Sequence, residues 1–146
     1  MSASNSMENS ILLLIFQNTA FAKIGDASGL QPSATAGSLY VSLHTGDPGE
    51  AGDQTTNECD YTSYARVAVA RTSGGWTVTN DTADNTAAIT FPACTGGSNT
   101  ATHFGVGTDS SGSGVLLFSG ALSASLAISS GITPQFDAGD LDITAA

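Results

Sequence analysis

The chain has 146 residues, of which 40% are apolar and only 11% charged, where a soluble domain usually carries roughly 25% charge. Thirteen acids stand against three cations, Lys23, Arg66 and Arg71, for a formal charge of −10. So few cations cannot neutralise a phosphate backbone or dock on anionic lipid, so nucleic acid and membrane surfaces are excluded as partners.

The length suits one domain with a single core. Ser, Thr, Gly, Ala and Asn take the place of the missing charges. Such short side chains fit tight turns and β surfaces, and they lose little rotamer entropy when an interface forms.

In chain order, residues 1–5 are polar. Ser6 is expected to cap a helix, with Glu8 near its positive end. From Met7 to about Asn18 the pattern fits a short helix or a buried extended segment. Met7, Ile11, Leu14 and Ile15 fall on one helical stripe, while Leu12, Leu13 and Phe16 make the segment apolar nearly all round. A helix of that kind has to be covered, by its own domain or by a neighbouring subunit. Ile11–Phe16 followed by Ala20-Phe21-Ala22 imitates a secretion signal, but no Lys or Arg precedes it and Glu8 does. The apolar run is also shorter than the roughly 7–15 residues a signal needs, and far below the ~18 of a membrane span. Residues 1–38 are therefore expected to form an N-terminal arm or helix with its loop, and 39–146 a β domain.

Leu39, Val41 and Leu43 alternate with Tyr40, Ser42 and His44, as in a strand. The segment TGDPGEAG ends it in a turn, because Pro48 fixes φ and glycine permits positive φ. Tyr64–Arg71 alternates again. Ser73-Gly74-Gly75 reads as a hairpin turn into Trp76–Thr79, and Asn80–Asn85 as a polar turn. Ala87–Pro92, Ala101–Gly107, Val115–Leu122, Ser125–Ser129, Pro134–Phe136 and Leu141–Thr144 complete the strands. Short strands with regular turn signals and no helical crossover predict an all-β fold, an antiparallel β-sandwich or jelly roll with a short N-terminal helix or arm.

No reaction centre stands out. His44, His103, Cys59 and Cys94 are zinc-type residues, but they lack the short-spaced pairs of zinc sites. Asp47, Glu50, Asp53, Glu58 and Asp60 crowd one loop without the spacing of a calcium hand, and a solvated acidic loop is the commoner outcome. No serine sits in a nucleophile elbow, and the glycines match neither phosphate-binding spacing. The expectation is no catalytic residue, no metal and no cofactor. The two cysteines leave a disulfide and two free thiols both open.

Arg66 and Arg71 are expected to pair with carboxylates, inside the subunit or across subunits. Tyr61, Tyr64 and Trp76 suit core packing or interface anchoring. The candidate interface set is Ile11, Leu14, Phe16, Tyr64, Arg66, Arg71 and Trp76.

The segments LYVSLHTGDPGEAG, YTSYARVAVAR, GGWTV, ITFPACTGG, THFGVGT and LLFSGALSASLAISSGITPQF, in that order and spacing, resemble a family of small bacteriophage virion proteins, tail-fibre-like or capsid-decorating. The resemblance implies a β-rich structural protein of the virion, on the outer surface of a particle assembled in the host cytoplasm, without catalytic residues. Its first implication is a decoration or cement protein bridging capsomers through the major capsid protein. The alternative is a tail-fibre or baseplate protein that meets tail proteins and the host surface. Self-association as a dimer or trimer is expected in either case. The two cysteines and the apolar Ile11–Phe16 run depart from the family pattern. A carbohydrate-binding module, the third class considered, needs an aromatic platform that one Trp and three Tyr scarcely supply.

Overall fold

The computed structural model describes residues 1–145. Among these residues there are one helix, α1 (Asn5–Gln17), and nine strands. These are β1 (Ser38–His44), β2 (Val67–Ala70), β3 (Trp76–Thr79), β4 (Thr82–Asn85), β5 (Ile89–Thr90), β6 (Ser98–Gly107), β7 (Leu116–Ser129), β8 (Gln135–Phe136) and β9 (Asp142–Thr144). They form a four-stranded sheet ordered β2-β1-β6-β7, a three-stranded sheet β3-β4-β9 and a two-stranded β5-β8 pair. The registered ladders β1–β6, β6–β7, β3–β4 and β4–β9 are all antiparallel. The protein is mostly β with one short helix, in line with the all-β expectation. Among the described residues, no helix is long and apolar enough to cross a membrane.

The chain divides into two compact units. The first gathers Met1–Ser38, Val69–Ala88 and the segment from Phe136 onward; the second gathers Leu39–Ala68 and Ile89–Gln135.

In the first unit α1 begins at Ser4, not Ser6: the Ser4 backbone is extended and its hydroxyl accepts from Met7 N–H at 3.3 Å. Ser4 and Ser6 are equally good caps by chemistry, so composition alone could not choose. The helix stops at Asn18, in the left-handed region at φ 52, a conformation Asn tolerates. Its buried residues are Leu12 and Phe16, one turn apart, whereas Met7 is 44% exposed and Ile11, Leu14 and Ile15 are half-buried. Apolar periodicity could not select that face because the helix is apolar nearly all round. The ring of Phe16 selects it, meeting Trp76 edge-on with centroids 4.8 Å apart. Both side chains are fully buried, and Gln17 donates to Trp76 O at 2.8 Å.

Asn80–Asn85 is not one polar turn. Thr79 pairs with Thr82, so only Asn80 and Asp81 form the hairpin loop, and Thr82–Asn85 is a strand between β3 and β9. Asn80 supplies the positive φ, 56°, that tight hairpins require. The strand lacks apolar alternation because its inward residues are Ala83 and Asn85. Buried Asn85 donates to Ala87 O and Asp137 O, both at 2.8 Å, and accepts from Leu141 N at 2.9 Å. One amide thus ties the end of β4 to the Asp137–Leu141 segment.

In the second unit β1 is buried on both faces, Val41 and Leu43 on one and Ser42 and His44 on the other. It pairs with β6 from Tyr40 opposite Gly107 to His44 opposite His103. β7 follows β6 as a hairpin arm and forms the sheet edge. Cys59 and Cys94 are free and buried, which resolves the cysteine question in favour of thiols. Burial pushes the Cys59 thiol up to about 12, so it stays protonated and unreactive at neutral pH.

Candidate functional site

The densest polar cluster lies in the second unit around Arg66. Its Nε and Nη2 donate to the two oxygens of Glu58 at 2.7 and 2.8 Å, a bidentate ion pair. The Arg66 side chain is 2% exposed and that of Glu58 16%. The remaining donors reach Asp109 O at 2.9 Å and Gly112 O at 2.7 Å. Tyr64 donates to Glu58 Oε1 at 2.9 Å and accepts from Leu43 N–H at 3.1 Å. Burial, then the neighbouring Glu58 charge, raises the Tyr64 phenol well above its ordinary range. The bond to Glu58 likewise holds Arg66 above its usual value. A planar fork satisfied on every side is rigid, and here it fixes the backbone of the Asp109–Gly114 loop.

Gln54 braces the same loop. It is fully buried, its Oε1 accepts from Asp109 N at 2.9 Å, and its Nε2 donates to Asp109 O at 3.2 Å. A Cβ at Gly107 or Gly114 would overlap the Gln54 amide. Glycine at both positions is therefore a requirement of close approach.

Next to this lies a chain of groups that resembles an activated nucleophile. Ser42 Oγ is 2.8 Å from His44 Nε2, and His44 Nδ1 is 2.8 Å from Thr56 O. A carbonyl only accepts, so Nδ1 carries the proton and Nε2 accepts from the serine. Burial holds the His44 pKa below its ordinary 6.5. Both side chains have zero exposure, and a Cβ at Gly105 would come within 2.7 Å of both polar atoms. The pair is closed to any substrate in this conformation. Its hydrogen bonds tie β1 to the Thr56 turn.

The acidic loop is taken up residue by residue. Asp47 Oδ1 accepts from Gly49 N at 2.8 Å, and Asp53 Oδ1 from Thr55 N at 2.8 Å and Thr55 Oγ1 at 2.6 Å. Those Thr55 hydrogen bonds hold the Asp53 carboxyl below its ordinary range. Glu58 serves Arg66, and Asp60 accepts from Asn99 at 3.0 Å. Among the described residues no three His, Cys, Asp or Glu converge as metal ligands. An open cleft of about 560 Å³ separates this loop from β7, lined by Asp47 and Glu50 on one side and by His103, Leu117, Phe118 and Ala121 on the other.

In the first unit Arg71 departs from expectation. Its guanidinium donates to Leu14 O at 2.7 Å, Ile15 O at 2.6 Å and Ala36 O at 3.0 Å. It thereby satisfies carbonyls in the last turn of α1, where the helix dipole favours a cation. A carboxylate was expected because acids abound, but the helix end offers several acceptors at once. Across β4 and β9, Asp84 stands directly opposite Asp142. Burial, then the hydrogen bond and charge of Asp142, raises Asp84 to about 6. Its buried Oδ1 has no hydrogen-bond partner.

Of the candidate interface residues, Phe16, Trp76 and Arg71 therefore meet in the first unit around α1, which carries Ile11 and Leu14. Tyr64 and Arg66 meet in the second. Gln54, Glu58, Asn85 and the Ser42–His44 pair were not singled out for these roles. Only Glu58 carried a readable signal, an acid close in sequence to one of the few cations.

Fold and site together define a β-rich protein whose buried polar groups shape loops. A family model described as Podophage GP4 fiber I protein gp80 matches residues 2–144. The chain belongs to that family, and so to the phage virion structural proteins of the fibre kind. A search of curated proteins gives no match.

Proposed function

We propose that the chain is a tail-fibre-like component of a phage particle, holding to other virion proteins and working at the particle exterior toward the host surface. The observation that carries this reading is the match to a fibre-protein family over residues 2–144. It favours the tail alternative over the bridging of capsomers. The net charge of −10 suits a position away from packaged nucleic acid.

On this reading residues 1–38 serve as an arm and 39–146 as a sandwich-like body. No residue is assigned catalysis, metal or cofactor binding. Ile11 and Leu14, half-buried on α1, have side-chain surface left for a neighbour. Phe16, Trp76, Tyr64, Arg66 and Arg71 act from beneath by holding the presented surfaces in shape.

Counting copies in purified virions tests the proposal. A low copy number, with the protein retained on isolated tails, is the expected result. Hundreds of copies retained on tailless heads would move it to the capsid lattice, and its absence from particles would remove it from the virion altogether.

A further inference from the structure

We propose that the cleft between the acidic loop and β7 is a docking site for a basic, extended segment of a partner protein. The segment's backbone lies along Phe118–Ala121, and its Lys or Arg side chains reach Asp47 and Glu50. Such a site follows from the cleft itself, wherever in the particle the protein sits.

Both walls of the cleft belong to the second unit. One is lined by six consecutive residues of β7, Leu116–Ala121, and by His103 of β6. Successive side chains of a strand point to opposite faces, so a cleft that meets six in a row meets the strand along its edge. The strand order ends at β7, so that edge carries backbone donors and acceptors that no neighbouring strand takes up. An edge of this kind is where an extended peptide adds. The register steps at Val106/Gly107 and again at Ala101/His103, and bulges protect an edge against pairing. Between the two steps Phe118–Ala121 stay in register, opposite Val106 to His103. The opening thus suits a segment of a few residues and not a whole strand.

The other wall selects charge. Asp47 and Glu50 line it, and both are exposed. One oxygen of Asp47 accepts from Gly49 N, and among the described residues nothing pairs with Glu50. Residues 110–136 contain no charged side chain, so the cleft has a negative rim over an uncharged floor. Such a rim attracts cations. Leu117, 37% exposed, and half-buried Leu116 and Phe118 offer apolar surface to the methylene stem of Lys or Arg, whose charged end then stays at the wet rim. Ser119 and Ala121 are exposed and small, which leaves room for a backbone to approach. The volume, about 560 Å³, falls within the roughly 300–1,000 Å³ usual for binding clefts.

A second copy of the chain is a poor occupant. Arg66 is taken by Glu58 and Arg71 by the end of α1, which leaves Lys23. A copy would bring that cation together with a net charge of −10 toward the same acids. Charge complementarity therefore selects a different polypeptide, one that is basic where it is extended.

The test titrates the purified full chain with the capped peptide Thr-Lys-Val-Lys-Val-Lys-Thr and follows amide NMR shifts. At low salt the peptide is expected to bind with a dissociation constant at or below about 1 mM. The largest shifts are expected at Leu116–Ala121 and Gly49–Gly52, and binding should weaken as salt screens the rim. Glu50→Lys reverses an exposed charge and is expected to weaken binding about tenfold or more. Glu50→Gln is expected to weaken it about two- to fivefold. Glu8→Gln removes the same charge from α1 and is expected to leave it unchanged. The matched peptide with Glu in place of Lys, and spermine, which carries the charge without a peptide backbone, are each expected to bind at least about tenfold more weakly. The spectra of the variants report their fold directly. The proposal is overturned if the Lys peptide moves no amide at millimolar concentration, or if the shifts fall away from the cleft. It is equally overturned if Glu50→Lys binds as tightly as Glu8→Gln, or if either control ligand matches the Lys peptide. Each of these failures leaves the virion assignment untouched, since that is read from particles.

Discussion

The two units differ most in the polar side chains they bury. The first is closed by ring on ring, Phe16 against Trp76, with Leu12, Ala83, Leu141 and Ile143 also buried, and buries Asn85 as a fully hydrogen-bonded amide. The second hides an ion pair, a histidine–serine pair and a glutamine, each spent on holding a loop. Apolar packing tolerates substitutes of similar shape, because its energy depends on area and volume. A buried polar network does not, because removing one member strands the others without water. Both units have an apolar core, and the second adds to its own, which includes Val41, Leu43, Phe91, Val106 and Ile128, a polar network that fixes the shape of its loops.

Four substitution and titration experiments break or sharpen that comparison. In the largest, Trp76→Ala is expected to cost about 3–5 kcal/mol in denaturant unfolding. Trp76→Phe is expected to recover most of it, since Trp76 Nε1 is buried without a partner and its removal offsets part of the lost volume.

Arg66→Ala is expected to cost about 3 kcal/mol, at the lower end for a broken buried pair because Glu58 keeps 16% exposure. Arg66→Lys should not rescue it, since a point charge cannot span both Glu58 oxygens and the two loop carbonyls. Full recovery by lysine would show that charge alone suffices and would remove the proposed contrast.

A smaller loss, about 1–3 kcal/mol, is expected for Gly105→Ala, which drives a methyl against His44 and Ser42. Its signature should be faster amide exchange around Thr56, where the His44 tie ends.

The smallest effect separates the units by sign. His44 has a folded pKa below 6.5, so its contribution is present above that pH and is lost as the pH falls through the folded value. Asp84 is raised from 3.8 to about 6, so its contribution is present below 3.8 and is lost as the pH rises through 6. Between pH 7 and 5.5, exchange protection corrected for intrinsic rates should therefore rise in β4 and β9 and fall in β1. Asp84→Asn should stabilise the protein at pH 7 by about 1 kcal/mol, allowing for solvent screening, and should abolish the rise. Parallel changes in both units would contradict this assignment.

What the sequence made legible follows from which forces act locally. Leu39–His44 and Trp76–Thr79 were readable as strands because alternation and turn residues lie within a few positions of each other. Thr82–Asn85 was not, because it is a strand by virtue of β3 and β9 on either side, and its inward residues are Ala83 and Asn85 rather than aliphatics. The covered face of α1 was hidden for the opposite reason, an excess of apolar residues. At the site, the scarcity of cations pointed correctly to a carboxylate for Arg66. The same reasoning misled for Arg71, whose partners are backbone carbonyls brought close only by folding.

The central claim is that the chain is a fibre-type structural subunit of a phage particle. A cryo-electron microscopy reconstruction of the intact virion tests it most directly. The account predicts density for both units at the tail, contacting other virion proteins through their surfaces. Density confined to the capsid lattice, or none anywhere on the particle, would contradict it.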